Sequence, residues 1–236
     1  MNKKCIQDGV IFQEFAGGLR VLGFVDKNDT RHKLFIPEFI LRTTATGELK
    51  KLFVTEIAKH AFFESQHIQS VEFPKTVTVI GHYAFKGCKN LKEVECKTTG
   101  WFNGGLGIQR CAFQDCKKLQ KVRLNRPVSW IANDVFNGCL HLERFDADCK
   151  EIHKGAFENC NLKRLVFTSN ASIHGGSIEA SGVQELVFYD NVRYATQGVW
   201  KWIKAAGITV YCPENSRLAE LAYDGVNVEL TPARTK

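Results

Sequence analysis

Long apolar runs are missing from this chain. No stretch of about 18 or more apolar residues occurs, so no helix of membrane-spanning length is encoded. The opening residues, MNKKCIQDGVIFQEF, start basic but reach Gln7 and Asp8 before an apolar segment of signal-peptide length can form. The sequence as it stands is therefore expected to be cytoplasmic, whereas a leader upstream of Met1 in the gene would place it at the cell surface or outside. Blocks of one charge sign are missing too. The net charge is +7, yet 25 acidic residues are interspersed among 32 basic ones, so there is no polybasic tail to grip nucleic acid, and no nucleic-acid partner is expected. Spacings that carry chemistry are also absent: no CxxC pair, no HExxH, no glycine-rich phosphate loop, and nothing that sets a thiol beside a histidine and an oxyanion site. Neither an enzyme nor a bound metal or cofactor is expected.

What the chain does have is a repeat. Aligned on an Ala-Phe pair, VTEIAKHAFFESQHIQSVEF from Val54 matches VTVIGHYAFKGCKNLKEVEC from Val77, LGIQRCAFQDCKKLQKVRL from Leu106 and VSWIANDVFNGCLHLERFDA from Val128. CKEIHKGAFENCNLKRLVF from Cys149 and ASIHGGSIEASGVQELVF from Ala171 follow with one residue removed. One column is Ile57, Ile80, Ile108, Ile131, Ile152 and Ile173, at intervals of 23, 28, 23, 21 and 21 residues. A second is Phe62, Phe85, Phe113, Phe136, Phe157 and Ile178, and a third is Ser65, Cys88, Cys116, Cys139, Cys160 and Ser181. A degenerate seventh unit is expected through Tyr194, Val199, Ile208 and Val210, the last two falling 22 residues after Leu186 and Phe188.

Segments such as LKEVEC and LQKVRL alternate apolar and polar residues, the mark of a short half-buried strand. Val94 and Cys96 then point inward, and Glu93, Glu95 and Lys97 outward. The AFKGC stretch is too short for an ordinary helix and reads as a turn or a single helical turn. Such a unit cannot bury its own apolar residues, so neighbours must stack into one continuous core. The expected fold is an α/β repeat solenoid with strands on one face and turns on the other.

The pattern I-x-x-x-A-F-x-x-C-x-x-L-x-x-V-x-F/L, followed in places by Pro74 or Pro127, resembles the BspA-type leucine-rich repeats, a bacterial family. The resemblance implies a right-handed leucine-rich repeat solenoid with parallel strands. Residues 1–53 would supply an N-terminal β-hairpin cap turning at Gly17-Gly18, with an insertion over 41–53. Residues 54–212 would hold about seven repeats, and 213–236 a strand-helix C-terminal cap with a short helix near Arg217 to Tyr223, stopped at Gly225.

Nine cysteines, an odd number, sit in a chain large and apolar enough to fold without disulfides, so reduced thiols are expected. The Cys88, Cys116, Cys139 and Cys160 column reads as packing, because Ser65 and Ser181 fill the same slot. His60, His82, His153 and His174 fall close in repeat phase and read as solvated edge residues. The outward strand positions are more informative. Lys121, Arg123, Arg144 and Arg164 form a basic stripe next to Glu93 and Glu95, suited to an acidic protein segment or a glycan. The insertion KTTGWFNGGL adds Trp101 and Phe102 as aromatic anchors. The leading expectation is a monomeric, non-enzymatic module binding a protein or peptide along the strand face. The resemblance also raises an exported adhesin or host-matrix binder, and Trp101, Phe102 and Trp130 raise a glycan-binding role.

Overall fold

The computed structural model describes residues 3–16, 18–44, 46–96, 105–167, 171–189, 194–195 and 197–231, with backbone alone for 146–148, Tyr194 and Gln197. Each unit lays down a front strand and, after a corner, a second strand. The front strands pair in parallel in the order Lys33–Phe35, Ser70–Phe73, Glu93–Cys96, the first part of Lys121–Ile131, Arg144–Cys149, Arg164–Phe167, Glu185–Phe188, Thr209–Pro213 and Asn227–Thr231. The second ladder runs Gly18–Phe24, Leu49–Ile57, Val79–Ile80, Leu106–Ile108, the last part of Lys121–Ile131, Glu151–Ile152, Ser172–Ile173 and Tyr194–Ala195, again in parallel.

The second ladder corrects the expectation of strands on one face only. Its cause is the isoleucine column: Ile57, Ile80, Ile108, Ile131, Ile152 and Ile173 stand in direct register and are buried. A β-branched side chain held between stacked neighbours favours extended backbone. Several of these strands have only two or three residues, too few for alternation to be visible in the sequence.

The turns close the third side, and they are neither helical nor free. Phe62, Phe85, Phe113, Phe136 and Phe157 each donate a backbone N–H to a carbonyl of the next unit at 2.7–3.1 Å. Two residues four apart in each turn adopt positive φ: His60 and Glu64, Tyr83 and Gly87, Cys111 and Asp115, Asp134 and Gly138, Gly155 and Asn159, Gly176 and Ala180. This alternation turns N–H and C=O groups toward both neighbours, so the turn wall is hydrogen-bonded like the ladders. Gly155 also needs its missing side chain, because a Cβ there would lie 2.3 Å from Asp134 Oδ1. Inside the wall the phenyl rings stack at 5.2, 5.2, 5.4 and 5.3 Å between successive centroids from Phe62 to Phe157.

At the N-terminal end, Lys4–Gln7, Val10–Phe15 and Gly18–Phe24 form an antiparallel meander, one strand more than the expected hairpin. Gly17, half of the expected turn, lies outside the described residues. The 41–53 insertion is itself a hairpin, Phe39–Thr43 against Leu49–Phe53, tied to the meander by an Arg42–Glu14 ion pair at 2.5 Å. At the other end, a nine-residue α-helix, Gln197–Ala205, replaces the turn and buries Val199 and Ile203. The helix takes two extra residues, so Leu186 pairs with Val210, not with Ile208 as expected from the sequence. Beyond it, Arg217–Ala222 is a 3-10 helix capped by the Ser216 side chain, and Gly225 follows at positive φ.

Arg126 sits where the chain turns the corner within Lys121–Ile131, in the unit after the 28-residue one. Its buried guanidinium donates to the carbonyls of Lys75 and Val77, both at 2.6 Å and two units earlier in the chain.

Candidate functional site

Alternation in the front strands sends one residue in two into the core and the other out, and the parallel register converts the outward residues into two rows. The first row reads Lys33, Ser70, Glu93, Lys121, Arg144, Arg164, Glu185, Thr209 and Asn227. Parallel to it run Phe35, Glu72, Glu95 and Arg123, and further on Val166, Val187, Tyr211 and Glu229. The structure thus brings Lys121, Arg144 and Arg164 together on three successive strands, with Arg123 beside them and Glu93 and Glu95 on the strand before. Adjacent strands lie about 4.8 Å apart, so the three cations span roughly 10 Å.

One outward position departs from expectation. Val187 is buried, with Val166 and Tyr211 on either side of it in register. The second row therefore changes from charged to apolar as it crosses the stack. Tyr211 has its phenol held above the ordinary value by desolvation, then by Glu229 and Glu185. Arg164 pairs with Glu185 at 3.7 Å, which closes the basic stretch on that side.

Two open hollows flank Arg144 at the entry edge of the front strands. One, of about 400 Å³, is lined by Glu93, Gln120, Lys121, His141, Glu143 and Arg144. Its neighbour, of about 390 Å³, shares Glu143 and Arg144 and adds Arg164, Val166 and Tyr189. Both are shallow enough to receive side chains and too open to enclose a small molecule. Trp101 and Phe102 lie outside the described residues. Trp130 points out of the second ladder and lies against Gly107, where a Cβ would approach its ring to 2.2 Å, so it packs on its own stack and is 38% exposed.

The cysteine column has a packing geometry. The thiols of Cys88, Cys116, Cys139 and Cys160 donate to the carbonyls of Phe62, Phe85, Phe113 and Phe136, one unit back, at 3.1, 3.1, 3.2 and 3.2 Å. Burial pushes Cys88 and Cys160 up to about 12 and Cys116 and Cys139 well above the ordinary thiol value. A nucleophile or metal ligand needs the thiolate, and this environment suppresses it.

A family description for the BspA type leucine rich repeat region matches residues 55–181 in six copies, more than half of the chain. The chain belongs to the BspA-type leucine-rich repeat family. The fold of this BspA-type protein, a mostly parallel sheet with few helices, is shared with a solved bacterial structure. A T. pallidum leucine rich repeat protein is 20% identical over 98% of this chain and 100% of its own, with a TM-score of 0.62. A Bacteroides capillosus leucine-rich repeat protein is 22% identical over 61% of this chain and 87% of its own, with a TM-score of 0.41. A leucine rich cell surface protein of Faecalibacterium prausnitzii is 14% identical over 89% of this chain and 76% of its own, at 0.48. No curated protein matches the BspA-type chain. Among the described residues, no helix is long and apolar enough to cross a membrane. The family points to a protein-interaction module in general, and its sequence signature carries the core columns, not the outward rows.

Sequence reasoning treated the histidines as separate edge residues, and this is where it missed an assembly. His153 and His174 are half-buried and stack at 4.7 Å with an 8° interplanar angle, both directed at Glu151. The signal was available as the Ile-His pair repeated in successive units, with a glutamate before the first.

Proposed function

We propose that this protein is a non-enzymatic interaction module, a right-handed solenoid of seven units capped over residues 1–53 and 213–236, whose front strand face binds an acidic protein or peptide segment. The observation that carries this reading is the direct register of Lys121 with Arg144 and of Arg144 with Arg164. Like charges placed directly opposite on adjacent strands cost stability, on the order of a few tenths of a kcal/mol per pair. A face selected for folding alone gains nothing from three such residues in succession. Facing carboxylates would reverse the sign of that cost, and the planar guanidinium groups of Arg123, Arg144 and Arg164 suit bidentate contacts with them. The hollows beside Arg144 supply depth for side chains, and the apolar positions at Val166 and Tyr211 give the face a non-electrostatic end.

A fluorescein-labelled decaglutamate peptide tests this by anisotropy at about 50 and about 200 mM NaCl, across which screening changes appreciably. The full chain should bind with a salt-sensitive affinity. Reversing Lys121, Arg123, Arg144 and Arg164 together to Glu should weaken binding by at least about tenfold, because attraction becomes repulsion. Unchanged binding in a variant that retains its circular dichroism spectrum overturns the assignment.

A further inference from the structure

We propose that Glu151, His153 and His174 form a Zn²⁺ site on the corner between the second ladder and the turn wall. Glu151 and His153 flank the inward Ile152, and successive outward residues of a strand share a face. His174 follows Ile173, which stands in register with Ile152, so the next unit places its imidazole over that of His153. One ligand atom from each of the three residues lies within 4.8 Å of the other two. Glu151 Oε1 is 3.4 Å from His153 Nε2 and 3.1 Å from His174 Nε2.

Those separations can be compared with what a metal requires. Tetrahedral Zn²⁺ with bonds of about 2.0–2.1 Å holds its ligand atoms about 3.3 Å apart. Both carboxylate-to-imidazole edges already match. The imidazole-to-imidazole edge lies within 4.8 Å, and rotation of the two stacked, half-buried rings out of parallel would bring it to the tetrahedral separation. Two imidazoles and one carboxylate form a borderline donor set that Zn²⁺ accepts, and the half-exposed corner leaves its fourth position to water.

The donors coincide at one place in the stack. The position held by His153 and His174 is Ala58, Gly81, Gln109 and Ala132 in earlier units. That of Glu151 is Val79, Gly107, Trp130 and Ser172, with Glu56 the only other carboxylate. Ala58 follows Glu56 across Ile57, so no imidazole accompanies that carboxylate on its own strand. The hydrogen bond between His174 and Glu151 and the 3.4 Å contact of His153 with the same carboxylate oxygen are what a metal would replace, which means the ligands are gathered before it arrives. This site is separate from the front face, and its test stands independently of the peptide experiment.

Isothermal titration of the reduced full chain with ZnCl₂ should show one equivalent bound, and Co²⁺ added instead should give a visible d–d absorption band. His153→Gln and His174→Gln should each weaken binding by more than about a hundredfold, beyond the loss typical of an outer-sphere partner. Glu151→Gln should weaken it by at least about tenfold. Cys5→Ser and His60→Gln, which touch none of these groups, should leave the isotherm unchanged, and circular dichroism confirms that each variant is folded. No binding up to about 1 mM Zn²⁺, an isotherm indifferent to both histidine variants, or one abolished by Cys5→Ser overturns the site.

Discussion

Raising the pH should unfold this protein through its buried thiols, and the size of the effect follows from the structure. Cys88, Cys116 and Cys139 have no exposed surface, and each donates its S–H to a phenylalanine carbonyl. Burial lifts Cys88 to about 12 and the other two well above their ordinary 9.0. A raised folded pKa means that the native state keeps protons that the unfolded chain releases. The stability these thiols contribute is therefore intact below about pH 9 and is lost as the pH rises toward about 12. Each thiol removes about 1.4 kcal/mol per pH unit in that window, so the three together remove about 4 kcal/mol per unit. Against a total native stability of about 5–15 kcal/mol, that is enough to unfold the chain within a few pH units. The assay is a series of urea titrations followed by tryptophan fluorescence in reducing buffer, from about pH 7.5 to about pH 11. The comparison is a variant with Cys88, Cys116 and Cys139 replaced by Ser, the residue already present in this column at 65 and 181. Tyrosine and lysine titrate in both proteins, so the difference between the two slopes isolates the thiols. Parallel loss of stability in the two proteins would refute the reasoning.

The turn wall makes a prediction with opposite signs at two positions. Ala180 is exposed with φ +62°, and Ala180→Gly should stabilise by about 0.5–1 kcal/mol, the strain of about 1–2 kcal/mol being partly offset by extra freedom in the unfolded chain. Gly155→Ala meets Asp134 Oδ1 as well as a positive φ, and should destabilise by about 1–3 kcal/mol, read as a thermal midpoint lower by several degrees. Phe113→Ala empties the middle of the ring column between Phe85 and Phe136 and should cost about 3–5 kcal/mol in urea unfolding, whereas an unchanged midpoint would mean that the neighbours close the gap.

The core was legible in the sequence because the isoleucine, phenylalanine and cysteine columns record which residues stack, and stacking is nearly all that the repeat must achieve. The outward rows were legible for the same reason apart from the buried Val187, since period-two alternation sets which face each residue takes, and Lys121, Arg144 and Arg164 lie on the outer face of successive strands. The left-handed turn positions were not, because His60, Tyr83, Asp134 and Ala180 occupy them as readily as Gly155 and carry no shared residue type. The α-helix at Gln197–Ala205 was missed for a related reason. The second ladder stops at Tyr194–Ala195 just before it, so the segment that follows obeys local propensity and not the repeat pattern. The Glu151, His153 and His174 cluster required register between units, which a column of isolated histidines does not disclose.

The ring spacing differs between the turn wall and the front of the stack. Along the turn wall, successive phenylalanine centroids advance by 5.2–5.4 Å, whereas Phe167 and Phe188, at the end of the front strands, are 4.7 Å apart. Hydrogen bonds between units hold both the front strands and the turn wall, so the wider ring separation at the wall is set by how the phenyl rings stack on one another and not by the strand repeat of about 4.8 Å.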